Sequence, residues 1–153
     1  MSGTWTSPTV PNLPDFLVFI ANNMQIPVSA LPADSPWPGY AFNQAMNTVL
    51  AVSGVASLDY VLAVYNCGGH ILLAITPDQT GQTYFAGQRA AFDMLGVSNG
   101  MIAASSDQGT SNTFATPEGF KNLTVRDLDF MRTPWGRWYL GYAQDYGSIV
   151  GLT

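Results

Sequence analysis

A cysteine and a histidine three residues apart, Cys67 and His70, form the strongest chemical signal in the sequence. On a helix this spacing places both side chains on one face, where they could form a nucleophile with its base or half of a zinc site. The chain has no other Cys or His to complete a zinc site, and no second Cys for an internal disulfide. Because a buried free cysteine commonly acts as a small hydrophobic side chain, packing is the favoured interpretation of the pair.

The residue types of a hydrolase triad also occur, as Ser105, Ser106, Asp107 and His70. The chain lacks the G-x-S-x-G elbow and the alternation of strands and helices that would support such a triad. A Gly-rich phosphate loop is also missing, since the glycines of "NCGGH" have neither a strand before them nor a Lys-Ser/Thr pair after them.

The carboxylates of the sequence do not form a pair suited to acid-base catalysis. Asp127 and Asp129 are two residues apart and diverge on a helix. Glu118 is the sole glutamate, and it falls in a predicted first helical turn, where the helix dipole favours the ionised form over the acid that a glycosidase needs. The sequence therefore predicts a protein that is not an enzyme and that uses no cofactor or metal.

The charged residues are unusually few. They make up 10% of the chain, against roughly 25% in an average globular protein, and include one Lys and one Glu. Because interface cores are depleted in these residues, much of the surface is expected to be covered by other protein. The net charge of −5 and the scattered arginines argue against tight, charge-driven binding of nucleic acid.

Apolar periodicity predicts a single all-α domain of about five to six helices over residues 14–147. An extended Pro-containing arm, 1–13, precedes it, and an apolar tail, 148–153, follows it. A long polar loop, 97–116, projects from the domain.

The helices that must position the Cys-His pair are predicted from caps and periodicity. They begin at Pro14, cover Tyr40–Val52, start again near Ser57, cover Thr83–Leu95, and run from Thr133 to Gly147. Within the third helix, two adjacent glycines indicate a kink, a division into two helices, or close backbone approach. That stretch is apolar but interrupted, so a buried helix is preferred to a membrane span.

Aromatic residues in the last helix follow a helical period, which predicts a core-facing stripe. Its members are Trp135, Trp138, Tyr139, Tyr142, Ala143 and Tyr146. Aromatic and Arg side chains are also typical interface anchors, and the terminal apolar residues need a partner. The predicted interface residues are Trp5, Val10, Trp135, Arg137, Tyr146, Ile149, Val150 and Leu152.

Two blocks of the sequence resemble small neck proteins of tailed bacteriophages. These blocks are "LDYVLAVYNCGGHILLAIT" and "LTVRDLDFMRTPWGRWYLGYAQDYGSIVGL", which together cover about a third of the chain. The chain is similar in plan to the head-to-tail adaptor (connector) class, whose members are helical domains with extended arms. The segment "TPWGR" with the later "YG" and an apolar end is the most specific part of the resemblance.

The resemblance implies a structural role in the virion neck, after assembly in the host cytoplasm. Such adaptors form a ring, commonly a dodecamer, that binds the portal protein on one side and a tail or nozzle protein on the other. DNA would pass through with transient, non-specific contacts, and Asp107 in the polar loop is the candidate channel residue. No membrane partner is expected. The alternatives are another head or neck protein, such as a decoration or completion protein, and a phage lysis enzyme.

Overall fold

The computed structural model describes residues 4–49, 57–94 and 125–147 of the chain. Within these ranges the chain is helical and has no β-strand, which confirms the predicted all-α class. The helices are α1 (Leu13–Phe19), α2 (Trp37–Thr48), α3 (Ser57–Ile75), α4 (Tyr84–Ala91), α5 (Val125–Phe130) and α6 (Pro134–Tyr142). A π-helical turn extends α1 over Ile20–Met24, and another extends α6 over Ala143–Gly147.

Helix α3 lies at the centre of the domain, with helices packed on two roughly opposite faces. On one face, Tyr65 and Gly68 meet the Phe16 side chain of α1. On the other, Asp59 and His70 bond to residues at the two ends of the α6 region. At 100° per residue these two sets are about 160° apart, so α1 and α6 sandwich α3.

The glycine pair in α3 permits close approach and does not divide the helix, which runs unbroken from Ser57 to Ile75. A Cβ on Gly68 would lie 2.8 Å from Phe16 Cζ, and a Cβ on Gly69 would lie 3.0 Å from Met24 Sδ. The absence of side chains at these two positions therefore lets α1 and its π-helical turn pack directly against the α3 backbone.

Helix α3 is long and apolar enough, by length and composition, to cross a membrane. However, 67% of its most apolar window is buried by the rest of the chain, as in the core helix of a packed domain. This burial confirms the expectation of a buried helix.

The bounds of α2 and α4 differ from the predicted ones. Helix α2 begins at Trp37, because Pro36 and Pro38 are compatible with a first turn, and it ends before the extended residue Val49. Its buried face is centred on Ala41 and Ala45, and the neighbouring Met46 is 37% exposed.

Helix α4 ends at Ala91, four residues before the predicted end. Asp93 adopts a left-handed backbone conformation with φ of 55°, which aspartate tolerates. Arg132 donates to both the carbonyl and the carboxylate of Asp93, at 2.6 and 2.8 Å, and thereby holds this turn. At the other end, the Asp78 carboxylate accepts from two backbone N–H groups of the first turn.

The N-terminal segment is fastened to its own domain through Asp15. This buried carboxylate accepts hydrogen bonds from the backbone N–H groups of Thr6 and Ser7, both at 2.8 Å, and from the Asn12 amide. Trp5 packs edge-on against Tyr65, with 5.2 Å between the ring centroids. The described part of the predicted extended arm is therefore bound to its own domain through Trp5, Thr6 and Ser7, and α1 begins at Leu13.

Acidification should release this segment. Burial raises the pKa of Asp15, but the hydrogen bonds from Thr6, Ser7 and Asn12 outweigh burial and leave the pKa below 3.8. The folded-state pKa is depressed, so the stabilisation is complete above the ordinary value and is lost as the pH falls through the folded value. We expect Asp15→Asn to cost about 1–3 kcal/mol at neutral pH, and the difference from wild type to shrink at low pH. Thermal melts from neutral pH to about pH 2 measure this, with the exposed Asp34→Asn as control; a constant difference would contradict it.

Helix α6 presents a slightly different face to the core than the aromatic stripe predicts. Its buried residues are Gly136, Leu140 and Tyr142, whereas Trp138 is 42% exposed. The buried face of α6 is rotated about the helix axis by roughly one residue, or about 100°, relative to the predicted stripe. Trp138 therefore lies at the edge of the buried face.

Candidate functional site

A buried histidine joins α3 to the turn between α5 and α6. The Nδ1 atom of His70 lies 2.8 Å from Thr133 Oγ1, and its Nε2 atom lies 3.0 Å from Asp129 Oδ2. His70 is 2% exposed and also packs on Phe130, with 4.7 Å between ring centroids. We call His70, Thr133 and Asp129 the polar pin.

The polar pin has the hydrogen bonds of a catalytic Asp-His-hydroxyl relay, but its hydroxyl is not accessible to a substrate. Thr133 is fully buried, and its Oγ1 already accepts the backbone N–H of Gly136 as the N-cap of α6. With Nε2–H donating to Asp129, the hydroxyl of Thr133 can donate to Nδ1, so every group has a partner. The arrangement satisfies buried polar groups and fixes α6 against α3, while no substrate can reach the hydroxyl.

The Cys-His spacing in the sequence indicates His70 but not its partners. The structure confirms Thr133 as the cap that begins the last helix. In the sequence, Asp129 stands out only as one of two closely spaced carboxylates. The partners come from a segment about sixty residues away, which local spacing cannot reveal.

Cys67 is separate from the polar pin, because both ring nitrogens of His70 are engaged by other residues. Its side chain is fully buried. Burial raises the pKa of the thiol to about 12, against a smaller opposing effect of Arg126. The thiolate that a nucleophile or metal ligand requires is therefore strongly disfavoured.

Cys67 should consequently resist thiol reagents in the folded protein. We expect Ellman's reagent at neutral to mildly alkaline pH to label it only after denaturant is added, because both burial and the raised pKa oppose attack. The labelling rate measured with and without denaturant checks this. Rapid labelling of the native protein would contradict the packing role.

An apolar groove lies between the α1 region and the loop that leads to α2. It encloses an open space of about 240 Å³. It is lined by Leu17, Ile20, Ala21, Ile26, Val28, Leu31, Pro32, Ala33 and Pro38. No lining residue is charged or polar, so the groove is suited to an aliphatic occupant and offers no group for catalysis.

The apolar groove continues onto an exposed face of α1. Leu13 and Leu17 are four residues apart on this helix and are 37% and 43% exposed. Val28, at the rim of the groove, is 74% exposed. Residues 1–58 contain only two charged residues, Asp15 and Asp34, and the first of these is buried. A surface with one exposed carboxylate and several exposed aliphatic side chains is typical of one that another protein covers.

The predicted interface residues differ in how far their own domain engages them. Val10 is 61% exposed, and Arg137 is exposed and donates to the Met131 carbonyl at 3.0 Å. Trp135 is half-buried against Phe92.

Trp5 and Tyr146 are also half-buried, Trp5 against Tyr65 and Tyr146 through a 3.0 Å hydrogen bond to Asp59. These two side chains therefore serve their own domain. The other predicted interface residues, Ile149, Val150 and Leu152, lie outside the described residues, as do the loop 97–116 with Asp107 and the Ser105–Ser106 pair.

A second, open cleft of about 310 Å³ lies near the end of α6. It is lined by Asp59, Trp138, Gly141, Tyr142, Asp145 and Tyr146. The hydrogen bond to Asp59 raises the pKa of Tyr146, so its hydroxyl stays protonated as the donor. Across the ranges that the structure describes, no group of three or more His, Cys, Asp and Glu is placed to hold a metal ion.

Fold and site together define a helical domain with a buried polar pin and an uncharged apolar groove. No protein-family model, no curated protein and no solved structure matches the chain.

Proposed function

We propose that the chain is a structural protein of a tailed bacteriophage, which assembles into a ring at the neck between the portal and the tail. The observation that carries this proposal is the uncharged surface formed by the apolar groove and the exposed Leu13 and Leu17. Because these side chains are exposed to water, they favour association with another protein. Each apolar side chain that a partner buries contributes up to about 1.5–3 kcal/mol to the free energy of association.

The sequence resemblance supports the neck as the location. Its two blocks belong to segments that contact each other, since His70 lies in the first block and Asp129 and Thr133 lie in the second. The polar pin therefore belongs to the part of the domain that resembles the head-to-tail adaptor class.

The charge of the chain suits a ring through which DNA passes. Each subunit carries a net charge of −5, and the cations are limited to one Lys and four Arg. If the loop with Asp107 lines the bore, the wall repels the phosphate backbone, and DNA slides without sticking. Portal and tail proteins would then occupy the two rims of the ring.

The decisive experiment is the location of the chain in purified particles of the phage that encodes it. Cryo-electron microscopy should reveal a ring of this helical domain at the neck, and mass spectrometry should detect the chain in the same particles. Copies distributed over the capsid surface would instead indicate a decoration protein. Absence from purified virions would overturn the structural role.

The lysis-enzyme alternative has its own test. Among the described residues, the only Asp-His-hydroxyl arrangement is the polar pin, whose hydroxyl is buried. Clearing of a peptidoglycan suspension by the purified chain would favour the enzyme over the ring protein.

A further inference from the structure

We propose that the apolar groove of one copy binds the C-terminal apolar residues Ile149, Val150 and Leu152 of a neighbouring copy. This inference rests on the proposed ring, for which it names the contact between subunits. The groove and residues 148–153 match in chemistry, since neither contains a charged side chain and both are rich in aliphatic groups. Burial of such a segment in such a groove removes apolar surface from water on both partners.

The starting point of the tail is fixed by the end of the α6 region. Tyr146 bonds to Asp59 near the beginning of α3, so residue 147 lies at that end of the molecule. The α1 region contacts α3 at Tyr65, Gly68 and Gly69, which are six to ten residues further along. At 1.5 Å per residue the two levels differ by ~9–15 Å along α3.

The α6 region, after which the tail begins, and the α1 region, which carries the groove, lie on opposite sides of α3. Packed helices have axes ~8–10 Å apart, so crossing from α6 over α3 to α1 covers ~16–20 Å. Combined with the shift along α3, the direct separation is ~18–25 Å, and a path over the surface is longer.

The chain cannot place all three side chains in its own groove. An extended chain advances at most ~3.3–3.6 Å per residue, so Ile149 and Val150 reach only ~7 Å and ~11 Å beyond Gly147, and Leu152 at ~18 Å reaches just the lower limit of the separation. A groove on another copy has no such restriction. The occupant is therefore the tail of a second copy.

This contact also explains closure into a ring. The tail and the groove are different segments of the chain, so their union is head-to-tail and leaves one free tail and one free groove at each step. Repetition of a head-to-tail contact produces a closed ring when the rotation between copies closes. Several weak contacts then act together around the ring.

The test uses two full-length variants, each with one added cysteine. Val28→Cys places a thiol at the rim of the groove, and Val150→Cys places one in the tail, while Cys67 stays buried with its pKa near 12. The two variants, one with a size tag, are mixed and oxidised. The matched control replaces Val28→Cys by Leu128→Cys, which is 47% exposed on α5.

We expect the groove–tail pair to give at least about tenfold more mixed disulfide than the control pair, because docking raises the local concentration of the two thiols. Equal yields from the two pairs would overturn the inference. As a second measurement, Val28→Asp should convert oligomers to monomers in light scattering, with Leu128→Asp unchanged and both melting normally. Oligomers that survive Val28→Asp would also count against groove docking.

The inference and the proposed function can fail separately. If virions contain the chain at the neck but the groove–tail disulfide is absent, another surface joins the copies and only the inference fails. If the disulfide forms but virions lack the chain, self-association stands and the proposed location fails.

Discussion

Replacing Gly136 by alanine should destabilise the domain by at least about 3 kcal/mol, which is at or above the usual cost of overpacking a core. A Cβ at this position would collide with the carbonyl oxygen of Phe130, and would lie 2.8 Å and 2.9 Å from its carbonyl carbon and Cα. These are backbone atoms at the end of α5, so no change of side-chain rotamer relieves the collision. The turn between α5 and α6 must move instead.

Movement of this turn affects more than local packing. The backbone N–H of Gly136 donates to Thr133 Oγ1, at 2.9 Å, and the same oxygen meets His70. Displacing the first turn of α6 therefore disturbs the helix cap and the polar pin together. Because total stabilities are only about 5–15 kcal/mol, a large share would be lost.

Chemical denaturation and thermal melting of Gly136→Ala measure the loss, which corresponds to a fall in Tm of roughly 6–12 °C for a chain of this size. The matched control is Gly141→Ala on the same helix, where a Cβ would meet nothing within 4 Å. That change should be neutral or slightly stabilising, since alanine favours a helix. Equal losses from both substitutions would mean that the Phe130 contact is not the cause.

His70→Ala should have the second large effect, about 3–4 kcal/mol. The substitution leaves a cavity beside Phe130 and removes one hydrogen-bond partner from each of Thr133 and Asp129. Thr133 is fully buried, so its hydroxyl cannot recover the lost bond from water without opening the structure.

A double-mutant cycle identifies the polar pin as the origin of this loss. Thr133→Val keeps the shape of the side chain but removes the oxygen that joins His70 and caps α6. Because both substitutions break the same bond, the loss in the double variant should be clearly smaller than the sum of the single losses. Additive losses in urea denaturation would indicate that His70 stabilises the domain by packing alone.

Much of the fold follows from local signals in the sequence. Pro134 after the capping residue Thr133 predicted the start of α6, and the structure has that start. The apolar run around Cys67 predicted the buried central helix. Such signals act within a few residues along the chain, so the sequence contains them directly.

The errors arise where a distant residue decides the outcome. Helix α4 ends early because Arg132, from another segment, holds Asp93 in its turn conformation. Likewise, Asp15 accepts hydrogen bonds from Thr6 and Ser7, which precede the helix by several residues, so helical spacing does not reveal its partners. The groove depends on a proline-rich loop that folds back onto α1, which local periodicity does not reveal.

The central place of α3 has a consequence for how the domain unfolds. The helix forms a wall of both half-cores, one shared with α1 and α2 and one shared with α5 and α6. Neither half-core retains a complete apolar lining once α3 leaves, so neither is an independent folding unit. The domain should therefore unfold as one cooperative unit. A substitution that overpacks Gly68 on one side, or Gly136 on the other, should then lower the midpoint of the same unfolding transition.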